Sequence, residues 1–79
     1  MNLEIKKLTL RQARRLAEIS QGQAAKLLNV SLHTILNWEK GYTVPDVTMM
    51  DKIEDVYGVP KDMIIFVGEK EWKRQYALY

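Results

Sequence analysis

The sequence predicts an all-α fold: one compact domain built from five short helices. Three observations carry this expectation. Helix-capping residues recur at short intervals, at Thr9, Ser20, Ser31 and Asp46. Behind each cap, apolar residues follow at helical spacing, and a residue tolerant of left-handed backbone closes several of the segments. The chain has 79 residues, of which 47% are apolar and 28% charged. That composition suits an ordinary globular domain with a core of its own.

The first helix opens at Thr9-Leu10-Arg11-Gln12, a capping box in which the threonine hydroxyl and the glutamine amide each satisfy a backbone N–H of the other. It carries Leu10, Ala13 and Ala17 as a stripe and ends near Glu18. The box Ser20-Gln21-Gly22-Gln23 opens the second helix, with Ala24, Ala25 and Leu28 as its apolar positions. Asn29 suits a left-handed turn, Val30 reads as a buried peg, and Ser31 caps the third helix, which stops at Gly41. Two short helices meeting at Leu28-Asn29-Val30-Ser31 fit a helix-turn-helix, or equally any sharp two-helix corner in a bundle.

After the loop Tyr42 to Pro45, Asp46 caps a fourth helix with Val47, Met50, Ile53 and Tyr57 on one side, closed by Gly58. A fifth, very apolar helix is expected from Val59-Pro60-Lys61-Asp62 onward, over Met63 to Phe66. Leu3 and Ile5 alternate with polar residues as a short strand would. In the tail, Trp72, Tyr76 and Tyr79 fit one face of a helix, although their aromatic character suits a strand as well. The domain is thus placed at residues 1–68, with a core at 8–66 and the two central helices at about 20–41. A tail covers 69–79.

The chain has no cysteine and one histidine, so no disulfide framework, no metal site and no cofactor is expected. Its longest apolar run, Met63 to Val67, is far too short for a membrane span, and no signal peptide is visible. A cytoplasmic protein, in a bacterium or a phage-infected host, is the expectation. An enzyme is not: there is no cysteine nucleophile or glycine-rich phosphate loop. The net charge of +2 and a pI near 9.0 lean towards a polyanionic partner. Lys6, Lys7, Arg11, Arg14 and Arg15 crowd the first fifteen residues, whereas acidic residues lie mostly in the second half.

From Leu8 to Phe66 the chain resembles the helix-turn-helix family of phage repressors and Cro proteins, with the bacterial XRE-type regulators. The segments that carry the likeness are L-T-L-R-Q-A-R, I-S-Q-G-Q-A-A-K-L-L-N-V-S, T-I-L-N-W-E-K-G, P-D and Y-G-V-P-K-D. They cover about three quarters of the chain, with no gap inside the two central helices. The resemblance implies a sequence-specific regulator of transcription that binds double-stranded DNA. Residues 31–40 would be its recognition helix, set in the major groove.

On that basis base contacts fall to Leu32, His33 and Asn37, with Ser31 and Leu36 as helpers. Asn37 can pair bidentately with adenine, His33 can donate to guanine, and a leucine can pack on a thymine methyl. Without this context a lone histidine or asparagine on a helix is ordinary solvated surface. Phosphate contacts are assigned to Gln21, Gly22, Lys26, Lys40, Tyr42 and Thr43, with Arg11 and Arg15 more distant. Gly22 stands where family members usually carry a larger polar residue.

The family's buried arginine–glutamate pair corresponds to Arg14 and Glu39. Arg14 borders the stripe of Leu10, Ala13 and Ala17, where a bidentate carboxylate explains it better than a DNA phosphate does. So short a reading helix favours a homodimer on inverted half-sites, joined through the fifth helix and the tail. The other fate for the apolar residues Ile64, Ile65, Phe66, Trp72, Tyr76 and Tyr79 is packing on their own core. With only a short tail after the helices, no sensor domain is expected, which suits a Cro-like or small autoregulating repressor. The competing expectation is an antitoxin or antirepressor whose main partner is another protein.

Overall fold

A computed structural model of the protein describes residues 7–66. The chain runs through β1 (Leu8–Thr9), α1 (Leu10–Leu16), α2 (Gln21–Leu28), α3 (Leu32–Lys40), α4 (Val47–Tyr57), a 3-10 turn (Lys61–Met63) and β2 (Ile64–Ile65).

Each helix starts where a short polar side chain turns back on the backbone. The Gln12 N–H donates to Thr9 Oγ1 at 3.1 Å, and the Thr9 N–H donates to Gln12 Oε1 at 2.9 Å. The same reciprocal box joins Ser20 and Gln23. Ser31 Oγ accepts from the Thr34 N–H and Asp46 Oδ1 from the Met49 N–H. Such caps satisfy N–H groups that have no acceptor within the helix, and each is worth about 1 kcal/mol.

The helix ends are equally local in origin. Glu18, Asn29, Gly41 and Gly58 all take positive φ, at 59°, 57°, 84° and 69°. At Asn29 the left-handed residue donates to the Lys26 carbonyl while Val30 donates to that of Ala25, and Gly41 and Tyr42 repeat the arrangement on Trp38 and Asn37. These are Schellman closures, which pair the last carbonyls and reverse the chain within two residues. Val30, expected as a buried peg, is half-buried and packs against the core.

α2 packs against α3 and α4, and α1 closes over α3 and α4. The core takes Leu10 and Ala13 from α1, Ala24, Ala25 and Leu28 from α2, Ile35 and Trp38 from α3, and Ile53, Tyr57 and Ile64 from the rest. Ala13 and Ala24 are wholly buried, so the helix backbones approach closely there. Leu28, Ile35 and Ile53 are the largest side chains with no exposure. Truncating any of the three to alanine should cost about 2–5 kcal/mol.

Two expectations need correction. The described residues form four α-helices rather than five, and a two-stranded parallel ladder pairs Leu8 with Ile64 and Thr9 with Ile65. Over Met63 to Phe66 the chain leaves its 3-10 turn at once as strand. The cause is visible in the residues: adjacent β-branched isoleucines favour extended backbone, and Leu8–Thr9 offers them a partner. The turn before them is held by the Lys61 N–H, which donates to Glu54 Oε2 at 2.7 Å. On α4, Val47 is 69% exposed, and the inward face is made by Met49, Ile53, Val56 and Tyr57. The alternation at Leu3 and Ile5 and the aromatic tail lie outside the described residues.

Candidate nucleic-acid interface

α2 and α3 are joined by two residues, Val30 and Ser31, after the left-handed Asn29. The apolar side of α3, Ile35 and Trp38 together with Glu39, is buried. The opposite side is what the fold leaves outward. Leu32 is 48% exposed, His33 and Lys40 are exposed, and Leu36 and Asn37 are half-buried. His33, Asn37 and Lys40 follow at i, i+4 and i+7, so they share one stripe with Leu36 at its margin. Among the described residues neither His33 nor the Asn37 amide makes a side-chain hydrogen bond. Ser31 differs: its hydroxyl accepts from the Thr34 N–H at 3.1 Å and meets Thr34 Oγ1 at 2.9 Å. As a base contact it would have to share that hydroxyl with the cap.

The residues assigned to phosphate do not form one set. Gly22, Lys26, Lys40 and Thr43 are exposed, and Tyr42 is 74% exposed just past the end of α3. A methyl group added at Gly22 would meet only Ser20 Oγ, at 3.9 Å, so close packing does not demand glycine there. Gln21 is half-buried and engaged, because its Nε2 donates to Glu39 Oε1 at 3.1 Å. That bond escaped the sequence because the two residues are 18 positions apart, and Gln21 at the start of a helix reads first as a terminus residue.

Arg14 and Glu39 meet inside the domain. Arg14 Nε donates to Glu39 Oε2 at 2.6 Å and Nη2 to Oε1 at 3.2 Å, while Nη1 donates to the Ile19 carbonyl at 3.0 Å. Their side chains are 9% and 2% exposed. The hydrogen bond to Glu39 raises the Arg14 pKa above its usual value against the opposing effect of burial, so the guanidinium stays charged. Arg11 Nε lies 3.9 Å from the same Glu39 oxygen and is largely exposed.

Charge is divided along the chain. Residues 7–45 carry six basic and two acidic side chains, and residues 46–66 carry two basic and five acidic. The half that contains α2 and α3 is therefore the half that attracts a polyanion. Among the described residues no group of histidines and carboxylates is placed to hold a metal, and no helix is long and apolar enough to cross a membrane.

A helix-turn-helix family model matches residues 10–64, from the first residue of α1 to the first of β2. The chain belongs to the XRE-type helix-turn-helix family. Members of this family are DNA-binding regulators of transcription. The chain is similar to the HTH-type transcriptional regulator ImmR of Bacillus subtilis (strain 168), with 30% identity over 66 residues. That match covers 84% of this chain and 52% of ImmR, so the chain spans about half the length of the curated relative it matches.

Proposed function

We propose that the protein is a sequence-specific transcriptional regulator that binds double-stranded DNA and sets α3 in the major groove. The observation that carries this reading is the division of α3. One side is locked into the core by Ile35, Trp38 and Glu39, and the other leaves Leu32 and His33 exposed with Asn37 half-buried beside them. Asn37 reads adenine through its two-pronged amide, His33 donates to a guanine acceptor, and Leu32 or Leu36 packs on a thymine methyl. Lys26 and Lys40 supply cations to flanking phosphates, and Tyr42 and Thr43 supply hydroxyls. With so few cations a single copy binds weakly, which favours two copies on inverted half-sites about one helical turn apart.

Part of the segment expected to join such a dimer already has a place in its own chain. Ile64 is buried and Phe66 packs against the core of its own chain, while Met63 and Ile65 are half-buried. A second reading, a module whose main partner is a protein, has one feature in its favour. Leu16 and Leu27 are 65% and 59% exposed, and a shallow apolar hollow is lined by Ile19, Gln23, Lys26 and Leu27.

In vitro selection from random duplex DNA tests the proposal, repeated with His33→Ala and Asn37→Ala. A selected motif built from inverted half-sites, altered at defined positions by each substitution, is the expected result. A pool without any motif would sink the reading, and a motif indifferent to both substitutions would move base readout to other residues.

A further inference from the structure

Glu39 does not serve Arg14 alone. Its Oε1 gathers donors from two other helices: it accepts from Arg14 Nη2 at 3.2 Å and from Gln21 Nε2 at 3.1 Å, and Arg11 Nε approaches to 3.9 Å. Gln21 is the first residue of α2, where backbone N–H groups lack acceptors within the helix. A glutamine at such a position ordinarily samples many rotamers and loses that freedom only when something holds it. Here a buried carboxylate, itself fixed by two bonds from Arg14, holds the amide by one of its two N–H groups. Two guanidiniums face one carboxylate in this cluster, and the cation in excess is the exposed one, Arg11.

We propose that Glu39 is a positioning residue for DNA-backbone binding: it fixes the Gln21 amide so that its second N–H, beside Arg11, is presented to a phosphate at the start of α2. This rests on the DNA-binding reading above. It assigns Glu39 a task beyond holding the domain together, and it gives Arg11 a place in the backbone contact. Attraction to Arg14 and Arg11 offsets the repulsion that a phosphate would otherwise meet from the Glu39 carboxylate.

Replacing the ion pair with apolar residues separates the two tasks, because a buried pair exchanged for well-packed side chains often leaves stability unchanged. Binding of Arg14→Met/Glu39→Met to a mixed-sequence duplex of about 20 base pairs at low salt reads the backbone contact without knowledge of an operator. The expected result is a folded variant that binds about tenfold more weakly, the size of one lost charge-assisted contact. In a Gln21→Ala background the same replacement should change binding little. Equal binding by the folded double variant and the unaltered protein overturns the proposal. So does an undiminished loss in the Gln21→Ala background, since the effect would then not pass through Gln21.

Should the double variant not fold, the Gln21 side-chain amide of the unaltered protein decides, observed by nitrogen-15 NMR and assigned by its absence in Gln21→Ala. One Nε2 proton shifted and protected from exchange supports the proposal, and averaged, freely exchanging protons overturn it. Failure of the unaltered protein to bind any duplex overturns the DNA-binding reading and the positioning role together.

Discussion

Arg14 on α1 grips Glu39 on α3 with two nitrogens and spends its third on the Ile19 carbonyl, in the turn between α1 and α2. One side chain thus ties three parts of the domain through contacts that little water reaches. Removing either partner strands a charge in the interior, at about 3–5 kcal/mol. Glu39→Ala and Arg14→Ala should each shift the urea midpoint strongly, and the double alanine variant should lose clearly less than the two losses combined. Additive losses would show that the two residues act separately.

Glu18 closes α1 in left-handed backbone with φ of 59°, a conformation that costs a residue with a Cβ about 1–2 kcal/mol. Glu18→Gly relieves that cost but gives the unfolded chain more freedom. A net gain of about 0.5–1 kcal/mol, seen as a higher melting temperature, is expected. Gly41 has φ of 84°, and Gly41→Ala should lower the melting temperature for the reverse reason. A fall on Glu18→Gly would mean that the carboxylate contributes more than its backbone costs.

Tyr57 is buried, and burial, reinforced by the nearby Glu39 charge, pushes its phenol up to about 12 from the ordinary 10.0. Below pH 10 the phenol is neutral in both folded and unfolded chains. Between about pH 10 and 12 the unfolded chain releases the proton and the folded one keeps it, so stability falls as pH rises through that window. Denaturant midpoints measured from pH 9 to 12 should therefore drop more steeply for the unaltered protein than for Tyr57→Phe. Parallel curves would assign the alkaline loss to other groups.

If Lys26 and Lys40 meet phosphates, each neutralises one backbone charge without reading sequence. Lys26→Ala and Lys40→Ala should weaken binding to every duplex alike and reduce the slope of log affinity against log salt by about 0.9 each. A substitution that changes the selected motif but not the slope would place that lysine at a base edge.

The helices were legible because their signals are local. Thr9 with Gln12 and Ser20 with Gln23 are three residues apart, and Asn29 and Gly41 carry their turn preference within themselves. The β1–β2 ladder was not, because Leu8 and Ile64 meet from opposite ends of the described chain. Nothing near Ile64 distinguishes a strand awaiting a distant partner from the start of an apolar helix. Val47 misled for a different reason. A helical stripe is defined only to within a residue or so, and the true stripe of α4 runs through Met49, Ile53 and Tyr57. Within the candidate interface, spacing sorted α3 into inner and outer sides, yet it could not show Gln21 spending an N–H on Glu39. Hydrogen bonding across helices depends on how they cross, which no short window of sequence contains.

The ladder also bears on the order of folding. Pairing Leu8 with Ile64 closes a loop that contains all four helices, and the entropy of closing a loop rises with its length. The α2–α3 corner needs no such closure, so it can assemble early on neighbouring contacts while the ladder acts as a late fastener. Ile64→Val should then speed unfolding and leave the folding rate nearly unchanged, whereas Leu28→Ala should slow folding. On this view the corner proposed to face DNA is also where order begins, and the seam between the two ends of the described segment is the first place to open.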